Sequence, residues 1–235
     1  MLLQRQNRLA SFVAPLLLAV FGLAVTTPCQ ATLIVGDPVL LSTLHNNPDG
    51  EILVGDKLFS RFFYSAVGDM PPVDRVNVTP IQDDDGNWGI RFTAPFIDFI
   101  DLVGNAGSDA TIVYRVEALN ESQLISDVHM AGNPALLGTT GSASVVETFE
   151  DHEIVLKIFD DFGNIQLTDF ALLPQPVRFL DVQKNILLAA GNGSATLSIL
   201  DQTFSQVPEP TAIALVMIGL ALGSCCVRRR FSASA

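Results

Sequence analysis

Residues 32–206 predict an all-β fold, an antiparallel β-sandwich of jelly-roll or immunoglobulin-like type, and three observations carry that reading. Apolar residues recur with a period of two and not 3.6. The runs that show the period are short and rich in Val, Ile, Thr and Phe. Clusters of Gly, Asn, Asp and Pro separate them. About ten or eleven such strands with little helical pattern fit two packed sheets, each hiding one face. An N-terminal signal peptide and a C-terminal transmembrane helix complete the predicted chain.

The N-terminus comes first. Residues 1–8 carry Arg5 and Arg8 and no acid, residues 14–25 are apolar, and Cys29-Gln30-Ala31 ends in the small-x-small pattern that signal peptidase accepts. The expected signal peptide is 1–31, cut between Ala31 and Thr32. Lipidation of Cys29 is disfavoured, because Thr26 and Pro28 hold the places where a lipobox needs an aliphatic and a small residue.

In the body, 111–119 sets Ile112, Tyr114, Val116 and Ala118 on one face and Val113, Arg115, Glu117 and Leu119 on the other. Further extended runs are expected at 57–65, 76–82, 88–93, 96–102, 124–130, 142–149, 153–159, 165–172, 177–188 and 195–204, with a short helix as an option within 177–190. Two hairpins follow from turn chemistry. Asp83-Asp84-Asp85-Gly86-Asn87 joins 76–82 to 88–93, and Asp160-Asp161-Phe162-Gly163-Asn164 joins 154–159 to 165–172. Read as a calcium loop, the first turn would need Gly at 88 and an acid at 94, where Trp88 and Ala94 stand. A plain turn is expected at Asp83–Asn87, with weak surface Ca²⁺ binding left open.

Charge narrows the function classes. Eight of the 13 Lys and Arg and 24 of the 25 Asp and Glu fall between 32 and 207, for a formal charge of −16 there. Such a surface repels nucleic acid, and no basic stripe opposes it. The three cysteines, Cys29, Cys225 and Cys226, lie outside this stretch, so an exported body would hold its fold without disulfides.

No catalytic constellation or cofactor motif is legible. The sequences around Ser142 and Ser194 are not Gly-x-Ser-x-Gly elbows, and His152-Glu153 lacks the second His of a zincin helix. His45, His129 and His152 read as surface or loop residues. Acid pairs such as Asp98 with Asp101, or Glu150 with Asp151, suit glycoside hydrolysis only if they face one another across a cleft. The acceptor patterns at Asn77, Asn120 and Asn192 carry little weight. Trp88 and Tyr64 are the candidates for an exposed aromatic patch.

The C-terminus carries the clearest address. Val207-Pro208-Glu209-Pro210 precedes 17 uncharged residues, 211–227, and then Arg228-Arg229-Arg230. At about 1.5 Å per residue that run just crosses a hydrocarbon core as a helix, and the arginines hold its end in the cytoplasm. This three-part tail, 207–235, resembles the PEP-CTERM sorting signal of bacterial envelope and matrix proteins. The resemblance implies an exosortase-type processing enzyme as partner, transient membrane anchoring, and final residence at the cell surface or in the matrix.

The body is similar to a type of domain found before that tail. The similarity lies in Phe63-Tyr64-Ser65, residues 86–92, Gly107-Ser108-Asp109-Ala110, residues 125–134 and residues 201–206. No activity comes with it. The expectation is a non-enzymatic surface or matrix protein without cofactor or metal, served by signal peptidase and the exosortase-type enzyme, with exopolysaccharide as a candidate partner. The alternative is a secreted glycan-active enzyme on the same β scaffold.

If the tail is a processing signal, the mature protein lacks most of residues 211–235. Mass spectrometry of the protein from its native envelope checks this, and a mature pool that keeps Ala235 would overturn it.

Overall fold

The computed structural model describes residues 33–100 and 107–208. The Ala31–Thr32 cleavage point, Asp101, Glu209, Pro210, the 211–227 run and Arg228, Arg229 and Arg230 lie outside the described residues. Among the described residues no helix is long and apolar enough to cross a membrane.

Fifteen strands are described: β1 (Leu33–Ile34), β2 (Val39–Leu40), β3 (Ile52–Val54), β4 (Lys57–Val67), β5 (Asn77–Gln82), β6 (Trp88–Phe99), β7 (Ser108–Ala118), β8 (Gln123–Gly132), β9 (Ala135–Leu137), β10 (Ser142–Phe149), β11 (His152–Asp161), β12 (Asn164–Gln166), β13 (Thr168–Val177), β14 (Phe179–Ala189) and β15 (Ser194–Pro208). One helical turn, Leu41–Leu44, and one 3₁₀ turn, Val73–Arg75, accompany them. The strands form two antiparallel sheets, as a β-sandwich requires. Sheet A runs β1-β5-β6-β15-β8-β13, with β2 on β5 and β9 on β15. Sheet B runs β12-β11-β10-β14-β7-β4-β3.

Period-two burial is cleanest where the strands are central. In β7 every second residue from Ser108 to Ala118 is buried, and β14 alternates the same way from Leu180 to Leu188. Between the sheets the rings of Phe59, Phe62 and Phe92 surround Tyr114 at centroid distances of 6.1, 5.8 and 5.8 Å. Phe204 reaches across from β15 to Phe59 at 6.0 Å. Tilted and offset contacts of this kind add to the roughly 2–3 kcal/mol that burying each such ring contributes.

Several expected elements are redrawn by packing. The option of a helix within 177–190 gives way to β14, because its alternate residues Leu180, Val182, Lys184, Ile186 and Leu188 all enter the interior. The runs 88–93 and 96–102 join as one strand through Ala94-Pro95. A register shift opposite Pro95, between Leu197 and Ile199 of β15, accommodates its missing N–H. The run 165–172 divides between sheets: β12 closes a hairpin on β11, and after Leu167 the chain crosses to sheet A as β13. That hairpin turns on Phe162 (φ 36°) and Gly163 (φ 92°), between the paired residues Asp161 and Asn164.

The other expected hairpin forms as read, with Gln82 opposite Trp88. Asp83 Oδ1 accepts from the backbone N–H of Asp85 (3.1 Å) and Asn87 (2.8 Å), and Asp83 Oδ2 from the Asn87 side chain (3.0 Å). Its carboxylate is spent on the turn.

One buried carboxylate ties the layers together. Asp98, 2% exposed near the end of β6, accepts from Ser108 Oγ of β7 and from the backbone N–H of Ala190, both at 2.6 Å. Ser108 Oγ in turn accepts from the N–H of Asp69 at 2.8 Å. Asp98→Ala leaves the Ala190 N–H without this acceptor. We expect a loss of about 1–3 kcal/mol, read as a lower denaturation midpoint with an unchanged slope.

Candidate functional site

Chemistry-bearing side chains converge on the outer face of sheet A, where β13, β8, β15 and β6 lie side by side. Their register sets two rows. Phe170, His129, Thr203 and Gly89 are successive cross-strand partners in one. Leu172, Asp127 and Ser205 follow in the next. Alternation explains the set: Val128, Met130, Gln202 and Phe204 point inward, so their neighbours point out.

The heights of these residues differ. Phe170 and Leu172 are 67% and 71% exposed, whereas Thr203 is 5% exposed. Gly89 allows the close approach of β6 and β15, since a Cβ there would lie 1.9 Å from the carbonyl oxygen of Gln202. The result is a low polar floor beside a tall apolar edge.

The floor is internally bonded. Arg91 Nε and Nη2 donate to the two carboxylate oxygens of Asp201 at 2.6 and 2.8 Å, a planar two-point pair. Thr203 Oγ1 donates to Asp83 Oδ2 at 2.8 Å, which fastens the β5–β6 turn to the site. His129 stacks on Phe170, with ring centroids 5.9 Å apart and planes 17° apart. His129 Nε2 lies 3.0 Å from Asp127 Oδ1, and that oxygen also accepts from the Ser205 N–H at 3.1 Å.

Ser205, His129 and Asp127 are the residue types of a nucleophilic triad, and their geometry is not that of one. A triad serves the serine from one ring nitrogen and the acid from the other. Here the same nitrogen, Nε2, faces Asp127 at 3.0 Å and Ser205 Oγ at 3.5 Å. The carboxylate competes with the hydroxyl for one position. What the face offers instead is an aromatic platform beside fixed acceptors and donors, suited to a ligand with apolar patches and many hydroxyls.

The residues singled out from sequence fall elsewhere. Tyr64 is buried and donates its hydroxyl to the carbonyl of Pro71 at 2.7 Å, and burial raises its phenol above the ordinary range. Trp88 is half-buried against Gly55, where an added Cβ would lie 2.3 Å from the ring. The expected Trp88–Tyr64 patch therefore does not form, because both rings serve packing. Asp98 is committed to Ser108 and Ala190, and Glu150 and Asp151 sit at the β10–β11 turn. His45 accepts from the Tyr64 N–H through Nδ1 at 3.0 Å. Val207 and Pro208 are the last residues of β15, opposite Leu124 and Gln123. Asp127 and His129 carried one readable signal, since an acid and a His two apart in a predicted strand share a face.

No family model matches the chain, and no curated protein matches it. Among solved structures, similarity is found to TmCBM61 in complex with β-1,4-galactotriose, at 10% identity and a TM-score of 0.29, over 60% of this chain and 88% of that one. A second is the enzymatically active domain of bacteriophage CBA120 tailspike protein 4, at 14% identity and a TM-score of 0.27, over 62% and 20%. A third is a family two carbohydrate esterase from Cellvibrio japonicus, at 15% identity and a TM-score of 0.23, over 64% and 36%. This chain thus spans only a fifth and about a third of the latter two proteins.

The expectation of a non-enzymatic surface or matrix protein fits these findings less well than its alternative, a secreted glycan-active enzyme on the same β scaffold. At these identities and TM-scores they lend this chain no residue, substrate or activity.

The shared nitrogen has a direct consequence. A fluorophosphonate probe that labels activated serines should leave Ser205 unmodified. Peptide mapping after labelling checks this, and a tagged Ser205 would restore the triad.

Proposed function

We propose that this chain is a glycan-directed β-sandwich protein that receives saccharide on the outer face of sheet A. The observation that carries the reading is Phe170, exposed and stacked on His129 beside a bonded polar floor. A pyranose ring has one face of C–H groups and a rim of hydroxyls. The first suits a flat aromatic surface, and the second suits Asp127, His129, Ser205 and the Arg91–Asp201 pair. The acidic body leaves the neutral glycans as the ligand class, because an anionic one would be repelled.

The connectivity supports a jelly-roll in preference to an immunoglobulin-like sandwich. With β6, β7, β8, β10, β11, β13, β14 and β15 taken as eight successive strands, sheet A holds the first, eighth, third and sixth, and sheet B the second, seventh, fourth and fifth. That order is the double Greek key of a jelly-roll, an architecture that includes lectin domains. Fold alone does not assign function, so the reading rests on the face. The address belonging to this proposal, export past a signal peptide with a PEP-CTERM-type tail, rests on the two termini.

A glycan array followed by titration of the purified protein tests the reading. Phe170→Ala should weaken binding to a retained neutral oligosaccharide by about tenfold, equivalent to roughly 1.4 kcal/mol of lost stacking. Phe63→Ala, on the outer face of sheet B, should leave it unchanged. Failure of every neutral glycan to bind, or indifference to Phe170→Ala, would reject the assignment.

A further inference from the structure

The interior between the sheets holds a lysine, a glutamate and a glutamine in mutual reach. Glu147 on β10 and Lys184 on β14 are direct cross-strand partners in sheet B, and Gln202 on β15 faces them from sheet A. All three are 0% exposed. Lys184 Nζ donates to Glu147 Oε2 and to Gln202 Oε1, the latter at 2.5 Å. Glu147 Oε1 and Gln202 Nε2 have no hydrogen-bond partner among the described residues, and nor does the hydroxyl of Tyr114, which is also fully buried.

This is an expensive arrangement for a merely structural core. A buried ion pair recovers its desolvation cost only when the remaining polar atoms are bonded as well, and here they are not. Burial raises the Glu147 carboxyl and lowers the Lys184 ammonium, in both cases against the attraction of the partner charge. Both directions ease the passage of a proton from the ammonium to the carboxyl, which frees the lone pair of the amine. A neutral amine is a nucleophile. Its neighbour across the sheet gap is an amide carbonyl, and the amide nitrogen on that carbonyl has nothing holding it.

We propose that Lys184 and Gln202 join in an intramolecular isopeptide bond, with Glu147 as the acid–base group that carries the proton. Nζ of Lys184 attacks Cδ of Gln202. From the ion pair, Nζ first passes one proton to Glu147, which delivers it to Nε2 as the Cδ–Nε2 bond breaks and takes the second Nζ proton as the new amide forms. One Nζ–Cδ bond replaces one Cδ–Nε2 bond, one ammonia leaves, and Glu147 ends as a neutral carboxylic acid that keeps the proton the ammonium began with. No oxidant or cofactor enters the balance. The product is a neutral amide in place of a buried ion pair, and it removes the unpaired Nε2.

It also fits the rest of the chain. Residues 32–207 contain no cysteine. A covalent tie between sheets would give that body the constraint disulfides give other exported domains. Glu147 is assigned as the proton carrier and Gln202 as the acyl donor because the leaving nitrogen must be protonated to depart, and Glu147 is the carboxyl in contact with the amine.

Peptide mapping of the purified full-length protein decides the matter. Trypsin should leave the Lys184–Asn185 bond uncut, and the peptide carrying both residues should be lighter than its sequence by one ammonia. An aspartate-directed protease cutting before Asp181 and Asp201 should then release two segments that remain joined. Glu147→Gln should restore the unmodified mass while the protein still elutes as a folded monodisperse species. Cleavage after Lys184 with an unmodified mass in the wild-type protein would overturn the proposal. So would loss of water in place of ammonia, which would place the bond at Glu147. Because this map needs no glycan, it is independent of the binding assay above.

Discussion

The two-sided pairing of β15 is the interaction on which the rest of the body depends. This strand comes last in the described chain, yet it lies inside sheet A with β6 on one edge and β8 and β9 on the other. Until it is seated, β6 and β8 each expose an unpaired edge and the interior lacks Leu197, Leu200 and Phe204. Its partners lie far away in sequence, so loop closure must precede the contacts that reward it. The strand also serves both sites. Thr203 and Ser205 lie on its outer face and Gln202 on its inner one, so a one-residue slip would exchange the floor of the proposed saccharide face with the core.

Much of this was legible because burial imposes a period of two. Residues 111–119 and 142–149 show it without interruption, and the strands there match closely. Both turns announced themselves through Asp, Gly and Asn. Bulges hid the rest. In β4 the register shifts between Ser60 and Phe63, with Arg61 at φ 58°. Phe59 and Phe62 therefore both point inward, three residues apart, and Phe63 is turned out. An alternating count from Phe59 puts Phe63 inside. Pro95 acted likewise, suggesting an end where β6 only bends.

Periodicity also leaves open which sheet a strand joins. The crossing at Leu167 places β12 and β13 in different layers, and only that crossing brings Phe170 beside His129. Phe170 in isolation was one apolar residue in a strand-like run, with no mark of exposure. Trp88 and Tyr64 drew attention by type, and packing absorbed both. A site assembled from the outward positions of neighbouring strands has no motif spacing to find. Asp127 and His129 were the one fragment on a single strand.

Charge is treated differently on the two sides of the sandwich, and the contrast bears on both proposals. Outside, Arg91–Asp201 and Arg115–Asp181 are cross-strand pairs with partial exposure, and Phe179 lies under the Arg115 guanidinium at 4.2 Å. Such pairs sit close to water and need no further bonding to be stable. Inside, Lys184 and Glu147 are fully shielded from solvent, and a second acceptor from the opposite sheet completes the contact of only one of them. A sequence that needed only a filled core would be as well served by apolar residues at 147, 184 and 202. The presence of all three, with amine, carboxyl and carboxamide meeting at one nitrogen, is what chemistry between the sheets requires and what packing does not.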